Sequence, residues 1–305
     1  MVEDSRVPCM WRKEPFQIWI DDPDRAFIHY VGDRDDVGRW PGMSPRHRYG
    51  WVPRSQLGYI GVDRALAGAL LALDDSFAAV GPPTTIEACS CCRKPADYAV
   101  LLNKPRDQLT GNELGGYAFR VLGTVGSEAD LRYLTGRILQ LLHTDDSRMP
   151  DMEVVYSKLG RVGWRSWPQA DAIAGVLDAL WHSMFTAADP RTGIAVVLCA
   201  LGAAESTIAA RLGEWELLDS ALSVRNLHEF VVHGCRIADG RVIPTNSYWD
   251  HGWVAYDELV GWLGNGPAMA AVAAAFDRTE DLDLLDLLAQ THDVLERARP
   301  VTRAS

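Results

Sequence analysis

The chain has 305 residues, 48% apolar and 23% charged, an ordinary globular composition with enough length for one large domain or two smaller ones. Its net charge of −11 argues against general binding to nucleic acid and against docking on anionic lipid, both of which need a surplus of Lys and Arg. Lysine occurs only at positions 13, 94, 104 and 158, so arginine dominates the 30 basic residues, as in products of GC-rich bacterial genomes.

Residues 1–12 are polar, without the apolar core of a signal peptide. The most apolar windows, residues 194–201 and 268–276, are too short to span a bilayer. The expected location is the cytoplasm, with no membrane partner. In that compartment six cysteines do not suggest a disulfide scaffold.

Residues 1–60 are rich in Pro, Asp and Trp. Two β-type runs, 16–20 and 26–31, flank Asp21-Asp22-Pro23-Asp24, and that order predicts a hairpin. Trp11, Trp19, Trp40 and Trp51 would supply its apolar contact. Residues 32–57, dense in Gly, Pro, Asp and Arg, read as an irregular excursion.

From Val62 the pattern turns helical. Ala65, Leu66, Leu70, Leu73 and Phe77 recur at helical spacing until Pro82-Pro83. A cysteine-bearing loop follows, then a short helix from Pro95 to about residue 102. Thr110-Gly-Asn-Glu113 has the form of a capping box and opens a helix to about residue 122. Ser127 caps the next, with Leu131, Leu134, Ile138, Leu141 and Leu142 along one face. Further helices are expected at residues 150–162, 168–185, 192–201, 214–222, 227–235, 256–263, 267–277 and 282–298. Short links between them make neighbours antiparallel. The expected fold class is mostly α: an irregular antiparallel helical array, HEAT-like or bundle, over residues 61–305. A small N-terminal β-containing arm, residues 1–60, precedes it. No repeat recurs at a fixed period.

Several segments also carry a family likeness. They are Ile86-Glu-Ala-Cys-Ser-Cys-Cys92, Thr124-Val125-Gly126 with Asp130-Leu131-Arg132, and Lys158-Leu159 with Gly163-Trp-Arg-Ser-Trp-Pro168. Together they resemble an uncharacterised bacterial helical family in which a C-x-x-C loop precedes T-x-G-x-x-x-D-[FL]-R and GW-R-x-W-P motifs. The likeness covers residues 65–190 best, and Thr135 stands where the family has proline. It implies a helical fold and no particular activity.

Cys89 and Cys92 supply half of a tetrahedral zinc shell; His233 and Cys235 are candidates for the other half, and the rival reading is reduced cysteines packed in a tight loop. In the Gly163–Pro168 link, Trp164 and Trp167 flank Arg165, which forms either a ligand cradle or a wedge between helices. Arg132 and His251, the latter among Trp249, Trp253 and Trp262, complete the candidate ligand-binding set. The acidic clusters Asp21, Asp22, Asp24 and Asp33, Asp35, Asp36 lack the spacing of an EF-hand loop. Phosphate-loop, nucleophile-elbow, zincin and dinucleotide motifs are absent.

Three functions are thus expected, in order. The first is a helical protein-interaction module of the regulator or immunity type, with a basic protein partner favoured by the acidic charge. The second is an enzyme or small-molecule binder with a pocket between the Trp-rich links and the N-terminal arm. The third is a zinc-stabilised scaffold.

Overall fold

The computed structural model describes residues 6–44, 47–89, 95–144, 148–186 and 192–298. The fold is mostly α, with twelve α-helices among the described residues and a small antiparallel sheet at the N-terminus. The chain forms two compact units: Met1–Met149 with Asp171–Ala179, and Pro150–Ala170 with Leu180–Ser305. The sheet and the helix that follows it belong to the same unit.

In the first unit, β1 (Val7–Trp11), β2 (Glu14–Asp21), β3 (Arg25–Tyr30) and β4 (Tyr49–Pro53) form an antiparallel meander in chain order. The expected hairpin is β2–β3, with Asp21 opposite Ala26; β1 and β4 extend it on either side. Strand alternation sends Phe16, Ile18, Ala26, Ile28, Tyr30 and Val52 to one face. There they build a core with Cys9, Trp11, Val37 and Met43. The acidic clusters are ion-paired turns. Asp21 receives Arg54 at 2.6 and 3.0 Å, and Asp36 receives Arg34 at 2.9 Å.

The β1–β2 turn puts Arg12 and Lys13 in the left-handed region, at φ 55° and 63°. Two-residue hairpin turns of this kind favour Asn-Gly, so neighbours must hold these two side chains in place. The Arg12 guanidinium lies 4.9 Å from the Trp11 ring, and the Lys13 ammonium lies 2.6 Å from Asp75.

Asp75 sits on α1 (Arg64–Phe77), whose N-terminus is capped by the Asp63 carboxylate, accepting from the amides of Ala65 and Leu66. α1 buries Leu66, Leu70, Leu73 and Phe77 and packs on α4 (Glu128–His143). Between them lie α2 (Val100–Asn103) and α3 (Gly111–Arg120). The helix expected from Pro95 is a tight 3₁₀ turn followed by the single turn of α2. The capping box of α3 is present: the Thr110 amide donates to Glu113, which also holds Lys104 at 2.9 Å. At α4 the Ser127 amide donates to Asp130 at 2.7 Å. Just before it, the Gly126 amide donates to the Glu87 carbonyl and the Cys89 amide to the Thr124 carbonyl. Two motif segments far apart in sequence are thereby laid side by side.

His143 ends α4 fully buried, and desolvation pushes its pKa down to about 4. The unfolded chain takes up that proton near the ordinary value of 6.5, whereas the folded chain stays neutral until about 4. The unfolded state therefore binds more protons inside this window. Stability is expected to be insensitive to this group above pH 6.5 and to fall as pH drops from there toward 4. Denaturation midpoints measured across that range check it: His143→Gln should flatten the decline, and an unchanged slope would assign it to other groups.

In the second unit, α5 (Met152–Val162) ends at Gly163, left-handed at φ 59°. α5 packs on α7 (Ile194–Glu205), and a Cβ at Gly160 would lie 2.0 Å from the Ala203 carbonyl oxygen. α6 (Ala170–Thr186) carries residues of both units. The helix expected at 214–222 does not form. Leu218 is left-handed at φ 42°, and it separates α8 (Ala209–Trp215) from α9 (Ala221–His228). The helix expected at 227–235 is the end of α9 and a wider π turn, Glu229–His233. Cys235 instead opens a hairpin of β5 (Cys235–Ala238) and β6 (Arg241–Pro244). α10 (Val254–Gly264), α11 (Pro267–Arg278) and α12 (Leu282–Arg297) close the chain as expected. Among the described residues no single helix is long and apolar enough to cross a membrane.

Candidate functional site

α6, α8 and the link into α9 enclose a groove of about 390 Å³ in the second unit. Its base is Trp215, only 1% exposed. The Trp215 indole donates to the Ser223 carbonyl at 3.1 Å, stacks on Trp262 at 5.7 Å and meets Trp181 edge-on at 5.8 Å. Phe185, set edge-on against Trp181 at 4.9 Å, and the exposed Leu217 extend the apolar surface. This much ring area in mutual contact makes a rigid floor.

The rim is acidic. Glu214 receives the Trp181 indole N–H at 2.8 Å, so a buried ring fixes a carboxylate that remains half exposed. His182 Nε2 stands 3.8 Å from the same oxygen, and exposed Asp219 lines the opposite end. Ser220 and Ser223 also reach the groove, but both hydroxyls are engaged in capping α9: Ser220 Oγ accepts from the Ser223 amide, and Ser223 Oγ donates to the Ser220 carbonyl. Fixed acids over an aromatic floor suit a cation with an apolar stem.

The residues expected to bind a ligand lie elsewhere. Trp164 is buried and donates its indole N–H to the Ala204 carbonyl at 2.9 Å. Arg165 lies over its ring at 4.6 Å, and Trp167 is buried too. Trp164 thus reaches from the end of α5 to α7. His251 stacks on Tyr256 at 4.5 Å. None of these four lines the groove. Arg132 lies on α4 in the first unit. Its neighbour Arg137 donates to the Leu109 carbonyl at 2.8 Å.

Of the expected zinc ligands, Cys92 falls outside the described residues, and Cys89 is exposed in the first unit. His233 and Cys235 belong to the second unit. The His233 ring meets His228 at 5.6 Å, and burial pushes the Cys235 thiol up to about 12.

Sequence reasoning missed His182, Glu214 and Asp219. The only local signal was acids beside tryptophans, at Glu214-Trp215-Glu216, and that pattern alone does not reveal a groove. Compared with family models, with curated proteins and with solved structures, the chain matches none of them.

Proposed function

We propose that the chain is a helical interaction module of the regulator or immunity type, acting in the cytoplasm on a basic protein partner. The α6–α8–α9 groove would receive a Lys- or Arg-bearing segment of that partner. In this reading the helices after residue 60 stack as an irregular, HEAT-like antiparallel array, and the chain is a member of the bacterial family whose motifs it resembles.

The observation that supports the reading is the groove's pairing of two carboxylates, the indole-held Glu214 and the exposed Asp219, with an aromatic floor. A lysine or arginine entering it would lay its methylenes on Leu217 and Phe185 and its charge against the two acids. The charge distribution agrees. Residues 1–60 hold nine acidic and nine basic residues, so the whole net charge of −11 resides beyond them.

Titrating the full chain with an Arg/Lys-rich peptide, read by tryptophan fluorescence, tests the proposal. Glu214→Gln with Asp219→Asn should weaken binding about tenfold, roughly two rim charge pairs' worth, and added salt should weaken the parent more than the double variant. Equal affinity in parent and variant at low salt would exclude the groove as the site.

A further inference from the structure

The sheet has a second face, and it is covered with rings. A bulge between Ile18 and Ile20 turns Trp19 outward, where it is 41% exposed. Alternation brings Phe27 and His29 of β3 to the same face, and Trp51 and Tyr49 of β4 stand directly opposite them. The rings touch in sequence. Trp19 lies 4.9 Å from His29, Phe27 lies 5.2 Å from Tyr49, and Trp51 lies 5.3 Å from Phe27. The apolar core of the sheet is on the other side, so this platform does not hold the strands to their own core.

Arginines frame it. The Arg6 guanidinium lies 4.3 Å above the Trp19 ring, and that of Arg25 lies 4.2 Å above Trp51. Arg48 stands opposite core-facing Tyr30, with its guanidinium 6.0 Å from that ring, and pairs with Asp35 at 3.0 Å at the end of the sheet. Burial first, and then the positive charges of Arg6 and Arg48, hold His29 below the ordinary imidazole range; the named charged neighbours of that ring are both cations. The ion pair Arg25–Asp22, at 3.6 Å, is exposed and weak, so exchanging its carboxylate for a backbone phosphate costs little.

The geometry points to this face as a landing surface for single-stranded nucleic acid, with bases stacked on the ring platform and phosphates paired to Arg6 and Arg25. Bases stack on aromatic rings and equally on guanidinium planes, and they do so with little regard to sequence. A duplex hides those faces. The argument from net charge does not reach this surface, because the first 60 residues are neutral and the acidic excess lies beyond them. Nor does this inference depend on the groove proposed above.

The test uses the full chain and fluorescence anisotropy of labelled twelve-nucleotide oligo-dT and oligo-rU, with a twelve-base-pair duplex as comparison. Both single strands should bind more tightly than the duplex. Two phosphate contacts on a single strand give a slope of about −1.4 for log affinity against log salt, so binding should weaken about sevenfold between 50 and 200 mM. Trp19→Ala should weaken it by roughly five- to 150-fold, and Trp19→Phe should largely restore it, with circular dichroism unchanged in both. Tyr49→Ala is a second, independent probe of the platform. Three outcomes would overturn the proposal: no binding of either strand at 50 mM salt, duplex bound as tightly as single strand, or affinity unmoved by Trp19→Ala and Tyr49→Ala.

Discussion

Glu205→Ala is expected to cost about 3–5 kcal/mol of stability, the usual result of stranding one partner of a buried ion pair. Glu205 ends α7 and Arg211 lies on α8, with side chains only 11% and 8% exposed. The guanidinium approaches as a fork, Nη2 to Oε1 at 2.8 Å and Nε to Oε2 at 3.3 Å. Removing the carboxylate leaves a cation facing a protein interior. The same negative charge, after burial, helps hold the Tyr156 phenol above its ordinary range. Urea denaturation checks the loss. The informative companion is Glu205→Leu with Arg211→Met, which should return to within about 1 kcal/mol of the parent, since paired desolvation roughly offsets paired attraction. A loss below about 1 kcal/mol for Glu205→Ala alone would show that this pair does not clasp α7 to α8.

Gly160→Ala should destabilise the second unit by at least about 2 kcal/mol, even though alanine is the better helix former by ~1 kcal/mol. The reason is steric and local. The new methyl would sit 2.0 Å from the Ala203 carbonyl oxygen and 3.1 Å from its carbon, atoms held in the body of α7 that cannot rotate away. Relief requires α5 and α7 to separate, which also stretches the indole–carbonyl bond from Trp164 to Ala204. Gly175 on α6 is the control, because its Cβ would meet nothing within 4 Å. There the same substitution should stabilise by about 0.5–1 kcal/mol. Opposite signs in the two melts support backbone-on-backbone packing of α5 and α7, and a gain at both positions would rule it out.

The parts of this fold that could be read in advance are those whose causes are local. Thr110 and Ser127 announce helix starts because a cap and its amides are neighbours in sequence. The β2–β3 hairpin was readable because Asp21-Asp22-Pro23-Asp24 breaks two apolar runs. The β5–β6 hairpin carried an equally good sign, Asp239-Gly240, both left-handed at φ 50° and 70°. It lies past the helix that apolar spacing predicts at 227–235, between strands of only four residues each. The failure at 214–222 has another cause. Trp215, Leu218 and Leu222 match helical spacing, yet Leu218 is turned left-handed between two helices, a choice made by tertiary packing. The groove was not legible at all. Its His182, Glu214 and Asp219 come from different elements, and only folding makes them neighbours.

The strained turn between β1 and β2 bears on how this protein is put together. Arg12 and Lys13 occupy a conformation that isolated chains avoid, and Lys13 is met by Asp75, a residue of the following helix. Arg64 of that helix likewise donates to the Val31 carbonyl at the end of β3. The ringed sheet is therefore fastened to its neighbour at two corners as well as filled with its own core. Recombination that moved residues 1–60 alone would leave those fastenings behind, whereas exchange of the sheet together with α1 would carry them along. A fragment that keeps both contacts must carry α1 along with the sheet.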